Sequence, residues 1–178
     1  MTSSAFAAWR TARAPADTPD FDSARFRAVL GHFATGVVAI TAVDPTTGEP
    51  TGLAANAFTS VSLDPPLVAF CVAHTSSTWP KLRTAGLIGV NMLTSEQLDV
   101  CRQLASKGGE KFRGLRWAPS PGGAPMLEEA LAWIECEIDA EHEAGDHVIV
   151  VCRVRHLGNR PTQAPLLFFR GGYGSFAE

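Results

Sequence analysis

Small hydroxyl and amide side chains crowd three short segments of the chain: Thr35-Gly36, Asn56-Ala57-Phe58-Thr59-Ser60 and Thr75-Ser76-Ser77-Thr78. Hydroxyls, glycine backbone and helix N-termini suit a phosphate or the polar rim of a heterocycle. The same residues also serve as ordinary caps and turns. Stronger chemistry lacks its signatures, since there is no GxGxxG after a strand, no P-loop, no HExxH and no GxSxG. His142 and His147 stand five apart across an expected turn, which is not a metal-ligand spacing, and no metal site is expected. The acids fall mostly on strand faces expected to meet solvent, so a paired-carboxylate hydrolase has little support. The four cysteines, Cys71, Cys101, Cys136 and Cys152, are scattered through apolar stretches without a CxxC pair. They are expected to be reduced and to behave as small hydrophobes, which fits a cytoplasmic protein.

The elements that position these segments can be read from periodicity. Asp22 or Ser23 caps a helix whose Phe26, Val29, Leu30 and Phe33 repeat at the spacing of one buried face, with Gly36 expected to stop it. A β-branched run over 37–43, a turn over 44–50, a long extended stretch over 51–63 and a buried strand over 67–73 follow. Ser76, Ser77 and Thr78 open a short helix to Leu82, and residues 87–93 form another strand. Thr94 and Gln97 have capping-box spacing before a helix with an apolar face of Leu98, Cys101, Leu104 and Ala105. Residues 107–125 are rich in glycine and proline and read as a long loop, either functional or disordered. Ile134, Cys136 and Ile138 alternate with acids, and Val148, Val150, Cys152 and Val154 alternate on the returning strand. Residues 166–169 close the set. Trp79, Trp117 and Trp133 read as core or interface residues.

The fold class is therefore mainly β with short helices, antiparallel and expected to close into a barrel. Residues 1–21 read as a flexible N-terminal tail and 22–178 as one domain. With 46% hydrophobic and 19% charged residues and a formal charge of -3, the chain carries no footprint for nucleic acid, and no apolar run is long enough to span a bilayer.

The stretch from Gly52 to Val68, with Asn56-Ala57-Phe58-Thr59-Ser60 at its centre and Asp64-Pro65-Pro66 near its end, resembles the short-chain flavin reductases of two-component flavin-dependent monooxygenases. The hydroxyls at Ser76, Ser77 and Thr78, then Lys111-Phe112-Arg113-Gly114, Gly145-Asp146-His147, Pro165-Leu166 and Gly171-Gly172-Tyr173-Gly174 follow in the family's order. The resemblance implies a dimeric split β-barrel that reduces diffusible FAD or FMN with NADH or NADPH and hands the reduced flavin to a partner monooxygenase. NADH is favoured, since no arginine cluster for a 2′-phosphate is evident. It also implies that Asn56, Ala57, Phe58, Thr59 and Ser60 hold the isoalloxazine, flanked by Thr35, Gly36 and Val37. Cys71, Val72, Ala73, Ser76, Ser77 and Thr78 would meet the ribityl chain and phosphate. Lys111 and Phe112 would reach over from the loop, His147 would meet the nicotinamide dinucleotide, and Tyr173 would join the cofactor-binding residues. Position 57 is often serine in such enzymes and is Ala57 here, which removes a hydroxyl contact to the flavin. No side chain is expected to act as an acid or base. Two alternatives stand beside this reading: a non-catalytic flavin- or haem-binding protein on the same barrel, and an oxidase of the pyridoxamine-phosphate type, which would want a more basic phosphate pocket.

Overall fold

The structure is a computed structural model that describes residues 20–160 and 164–176. The expected tail over 1–21 lies outside these residues except at Asp20 and Phe21. Helix α1 (Ser23–Leu30) starts where its cap predicts, with Asp22 Oδ1 accepting the Arg25 N–H at 2.8 Å. It ends at Gly31 rather than Gly36, and Gly36 instead lies in strand β1 (Thr35–Gly36). The expected burial of its apolar face fails: Val29 is 63% and Phe33 76% exposed, and Phe26 and Leu30 are exposed beside them. Periodicity reports a face that wants cover, not which chain supplies it.

Strands β2 (Val38–Val43) and β3 (Pro50–Ala55) form a hairpin whose turn is held by Asp44 Oδ1 accepting the Thr46 N–H at 2.9 Å. The single stretch expected over 51–63 is broken. The β2–β3 ladder ends with Val38 opposite Ala55, the β4–β5 ladder begins with Phe58 opposite Phe70, and Asn56 and Ala57 belong to neither. Strands β4 (Phe58–Leu63) and β5 (Pro66–Ala73) pair, followed by α2 (Trp79–Leu82), β6 (Ile88–Met92), α3 (Leu98–Ala105), β7 (Trp117–Pro119) and β8 (Pro125–Leu127). The long strands β9 (Ala132–Ala144) and β10 (His147–Asn159) meet at a turn with Gly145 at φ 68°, and β11 (Leu166–Phe169) and β12 (Gly172–Ser175) complete the chain.

One antiparallel sheet has seven strands in the order β3-β2-β6-β9-β10-β5-β4, and a second has three in the order β1-β11-β12. The large sheet curls rather than lying flat. Ile40, Leu53, Phe70, Val90, Cys136 and Val150, from six of its strands, share one buried cluster, with Trp79 and Leu82 of α2 in the same cluster. Its end strands β3 and β4 are joined by the Asn56-Ala57 backbone and not by a ladder, so the barrel expected from the strand count is not closed by pairing. A second cluster, with Ala39, Leu93, Cys101, Leu104 and Leu166, seats α3 on the other side of the sheet.

Two polar devices in the core escape sequence reading. Asn91 Nδ2 donates to Thr41 Oγ1 at 3.0 Å, Thr41 donates to the Pro125 carbonyl at 2.6 Å, and the Leu127 N–H donates to Asn91 Oδ1 at 2.7 Å, tying β8 to β2 and β6. Glu135, expected on a solvent face, is buried at 1% exposure. Its carboxylate accepts from Ser120 Oγ and from the Gly122 N–H at 2.8 Å, and a Cβ at Gly122 would sit 2.7 Å from its Oε1. The loop over 107–125 is thus ordered by the β7–β8 hairpin and by a carboxylate beneath it. The cysteines are free as expected, with Cys101, Cys136 and Cys152 buried and Cys71 half-buried.

Candidate functional site

The break at Asn56-Ala57 is the centre of the site because it lies where two grooves meet. It is pinned by one hydrogen bond, from the Cys71 N–H to the Ala57 carbonyl at 3.0 Å, so the exposed bend stays flat against β5. One groove, about 370 Å³, runs over Ala54, Ala55, Asn56, Ala57, Cys71, Val72 and Ala73 to Thr75, Ser76, Ser77 and Thr78, with Lys107 and His147 on its walls. Its floor is alanine, narrow enough in side-chain volume to admit a ligand, and its far end is hydroxyl-rich. Ser76 Oγ is partly spent, accepting the Trp79 N–H of α2 at 3.2 Å. Thr78 makes no side-chain capping bond.

The other groove is larger, about 1050 Å³, and apolar. Asn56, Ala57, Phe58, Thr59 and Cys71 line its near side, Phe26, Leu30 and Phe33 of the uncovered α1 face and Phe168 and Ile149 its other walls. Thr35 lies in it too, and Thr35 Oγ1 is buried without a hydrogen-bond partner among the described residues. An orphaned hydroxyl beside an apolar, aromatic-lined groove fits a flat ligand with a polar rim. A small third cavity, about 130 Å³, opens off the bend between Val37, Ala54, Cys101, Ala105, Phe168 and Tyr173. There the Cys101 thiol donates to Tyr173 Oη at 3.6 Å; burial raises the thiol pKa, and the thiol contact raises that of the phenol, so both stay protonated at neutral pH.

His147 belongs to the seam between the grooves. It pairs with Ala73 across β10 and β5, while Ile149, two residues on and therefore on the same strand face about 7 Å away, lines the larger groove. His147 Nδ1 lies 2.7 Å from Asp146 Oδ1. A carboxylate only accepts, so Nδ1 carries the proton and Nε2 is left for a ligand. The hydrogen bond from His147 in turn holds the Asp146 carboxyl below its usual range.

Two residues singled out in the sequence stand elsewhere. Lys111 is buried and lines no groove; its Nζ donates to the Leu104 carbonyl at 3.1 Å and to the Ser106 carbonyl, closing the C-terminal end of α3 behind the wall of the hydroxyl groove. Phe112 is buried in the α3 cluster, edge-on to Trp117 at 6.2 Å between ring centroids. The loop brings Lys107 to the hydroxyl groove instead, a residue that position in a glycine-rich loop could not separate from Lys111. Gly36 and Ser60 lie in β1 and β4 beside the site without lining a groove.

A curled antiparallel sheet with an apolar groove and a hydroxyl groove meeting at a bare backbone bend offers room and donors for a flat, phosphate-bearing heterocycle. The chain belongs to the flavin reductase like domain family, which matches residues 30–177. A flavin reductase of Pseudomonas putida is 51% identical over 152 residues, covering 85% of this chain and 89% of that protein. The crystal structure of nitrilotriacetate monooxygenase component B from Mycobacterium thermoresistibile superposes with a TM-score of 0.83 at 40% identity, covering 88% of this chain and 87% of that one. The NADH:FAD oxidoreductase SgcE6 of Streptomyces globisporus, solved with NAD and FAD fragments, superposes with a TM-score of 0.81 at 34% identity, covering 88% and 93% of the two chains.

Proposed function

We propose that this chain is an NADH-dependent flavin reductase that takes FAD or FMN from solution, reduces it, and releases it to a flavin-dependent monooxygenase. The observation that carries the reading is the meeting of the two grooves at Asn56-Ala57, where one flat ring can lie on the bend while a second approaches from the apolar side. The nicotinamide and the flavin supply the hydride chemistry themselves, which is why the site needs no general base. The protein's part is to hold two rings about 3–3.5 Å apart and to keep water out.

Asn56, Ala57, Phe58 and Thr59 form the edge against which the flavin ring rests, with Thr35 facing its polar rim. Ser76, Ser77, Thr78 and Lys107 serve the phosphate end. His147, at the seam with Nε2 unspent, meets the nicotinamide end of the dinucleotide. Tyr173 and Val37 bound the small cavity beneath the ring. Alanine at 57 leaves the hold on the flavin loose, which suits a flavin that must leave. The exposed face of α1 forms one wall of the apolar groove and is covered, in this reading, by a second copy of the chain, so that a split-barrel homodimer seals the site. Free cysteines and the absence of any helix long and apolar enough to cross a membrane, among the described residues, support a cytoplasmic place of work.

The test is NADH consumption by the purified chain with and without added flavin. Turnover that requires free FAD or FMN is the expected result. A coloured protein that binds flavin and consumes no NADH would mean a binding protein instead.

A further inference from the structure

The apolar groove carries a charge pattern that flavin binding leaves unused. Among the described residues no Asp or Glu lines it, and its rim bears Arg27, His32 and Arg170. Two of these are engaged within the helix region: Arg27 Nη2 donates to Ser23 Oγ at 3.1 Å, and His32 Nδ1 lies 2.9 Å from the Ala28 carbonyl. The Arg170 guanidinium has no partner among the described residues. Its backbone is fixed, with the Arg170 N–H donating to the Gly31 carbonyl at 2.9 Å. It is also strained: Arg170 at φ 51° and Gly171 at φ 80° form the two-residue turn between β11 and β12. Gly, Asn or Asp fits such a turn, because the left-handed region crowds a Cβ. A long cation held there, on the wall of a groove and with no partner among the described residues, points to a use for the guanidinium itself.

We propose that Arg170 binds the phosphates of the nicotinamide dinucleotide. The proposal rests on the reading of the chain as an NADH:flavin reductase and adds the direction in which the dinucleotide lies. Its nicotinamide sits at the seam beside His147, and its phosphates run out along the apolar groove to Arg170. The flavin's phosphate end has its own donors in the hydroxyl groove. A planar guanidinium fork matches phosphate oxygens, and a groove without carboxylates gives that anion no competitor.

Arg170→Asn is the informative variant, because asparagine accepts the left-handed turn and the fold is preserved; an unchanged melting temperature checks this. Steady-state rates with NADH are compared with rates using N-benzyl dihydronicotinamide, a hydride donor without phosphates. The expected result is a fall in kcat/KM for NADH of about 10- to 100-fold, mostly through KM, as for loss of a charge-assisted hydrogen bond. The phosphate-free donor and the Kd values of FMN and FAD should change by less than about twofold, and Arg170→Lys should recover part of the loss. NADPH should weaken in parallel with NADH. An unchanged KM for NADH overturns the proposal, as does an equal fall for both donors. Weakened FAD binding with FMN unaffected assigns Arg170 to the flavin pyrophosphate, and a loss confined to NADPH assigns it to a 2′-phosphate; either also overturns it. Failure of the parent reading looks different, since the unmodified protein would then consume no NADH even with flavin added.

Discussion

In the proposed function, single residues divide the site between its two ligands. Lys107 faces the hydroxyl groove, so Lys107→Ala should raise KM for FMN about 3- to 30-fold and leave riboflavin, which lacks the phosphate, nearly unchanged. Lys111→Met is the contrasting case. It removes the donor that closes α3, so it should lower stability by about 1–3 kcal/mol in thermal unfolding and leave both KM values near their starting points. His147→Ala should raise the NADH KM about 3- to 30-fold with little change for flavin, as expected for one lost hydrogen bond at the seam. Ala57→Ser should tighten flavin binding several-fold and slow its release. At this scale the structure brings the hydroxyl cluster, the Asn56-Ala57 bend and His147 to one groove. Lys111 lines no groove, and the place to which a loop delivers a lysine's long side chain is something no local pattern records. Arg170 drew no notice because its φ of 51° and its lack of a partner among the described residues are visible only in three dimensions.

Among the elements, β9 is the one whose alternation misleads. Its acids recur at every second position, and Glu137 and Asp139 do lie outward in ion pairs with Arg155 and Arg153, whereas Glu141, past a bulge and opposite the buried Val150, is half-buried against Arg83. Glu135 keeps the same phase but is covered when the loop folds over it. Glu135→Ala leaves the Gly122 N–H and the Ser120 hydroxyl without their acceptor under that loop. The expected loss is about 2–4 kcal/mol, read as a melting temperature lower by roughly 5–15 °C. The outer pairs are exposed, and removing Asp139 or Glu137 should cost under about 1 kcal/mol by the same measurement. Strand alternation, helix starts and the Asp22 cap were legible because they depend on neighbours in sequence. The break within 51–63 was not, because both halves have strand composition and only the pairing of each with a different partner separates them.

For the molecule as a whole, α1 shows how far one sequence can be read. Its amphipathic spacing is present and its apolar face is exposed, as the proposed dimer requires of the free chain. Sedimentation at micromolar concentration should show twice the chain mass, and Val29→Glu with Phe33→Glu should give a monomer with much reduced turnover. A monomeric parent protein with full activity would contradict a site sealed by two copies. The central claim, however, is that reduced flavin leaves. It is tested most directly by anaerobic dialysis, with the protein, NADH and flavin on one side of a membrane that passes small molecules and flavin alone on the other. Bleaching of the flavin in the protein-free compartment, well ahead of a control without protein, is the predicted result. Rapid NADH-driven bleaching confined to the protein's own side, with flavin co-eluting with the chain afterwards, would contradict it.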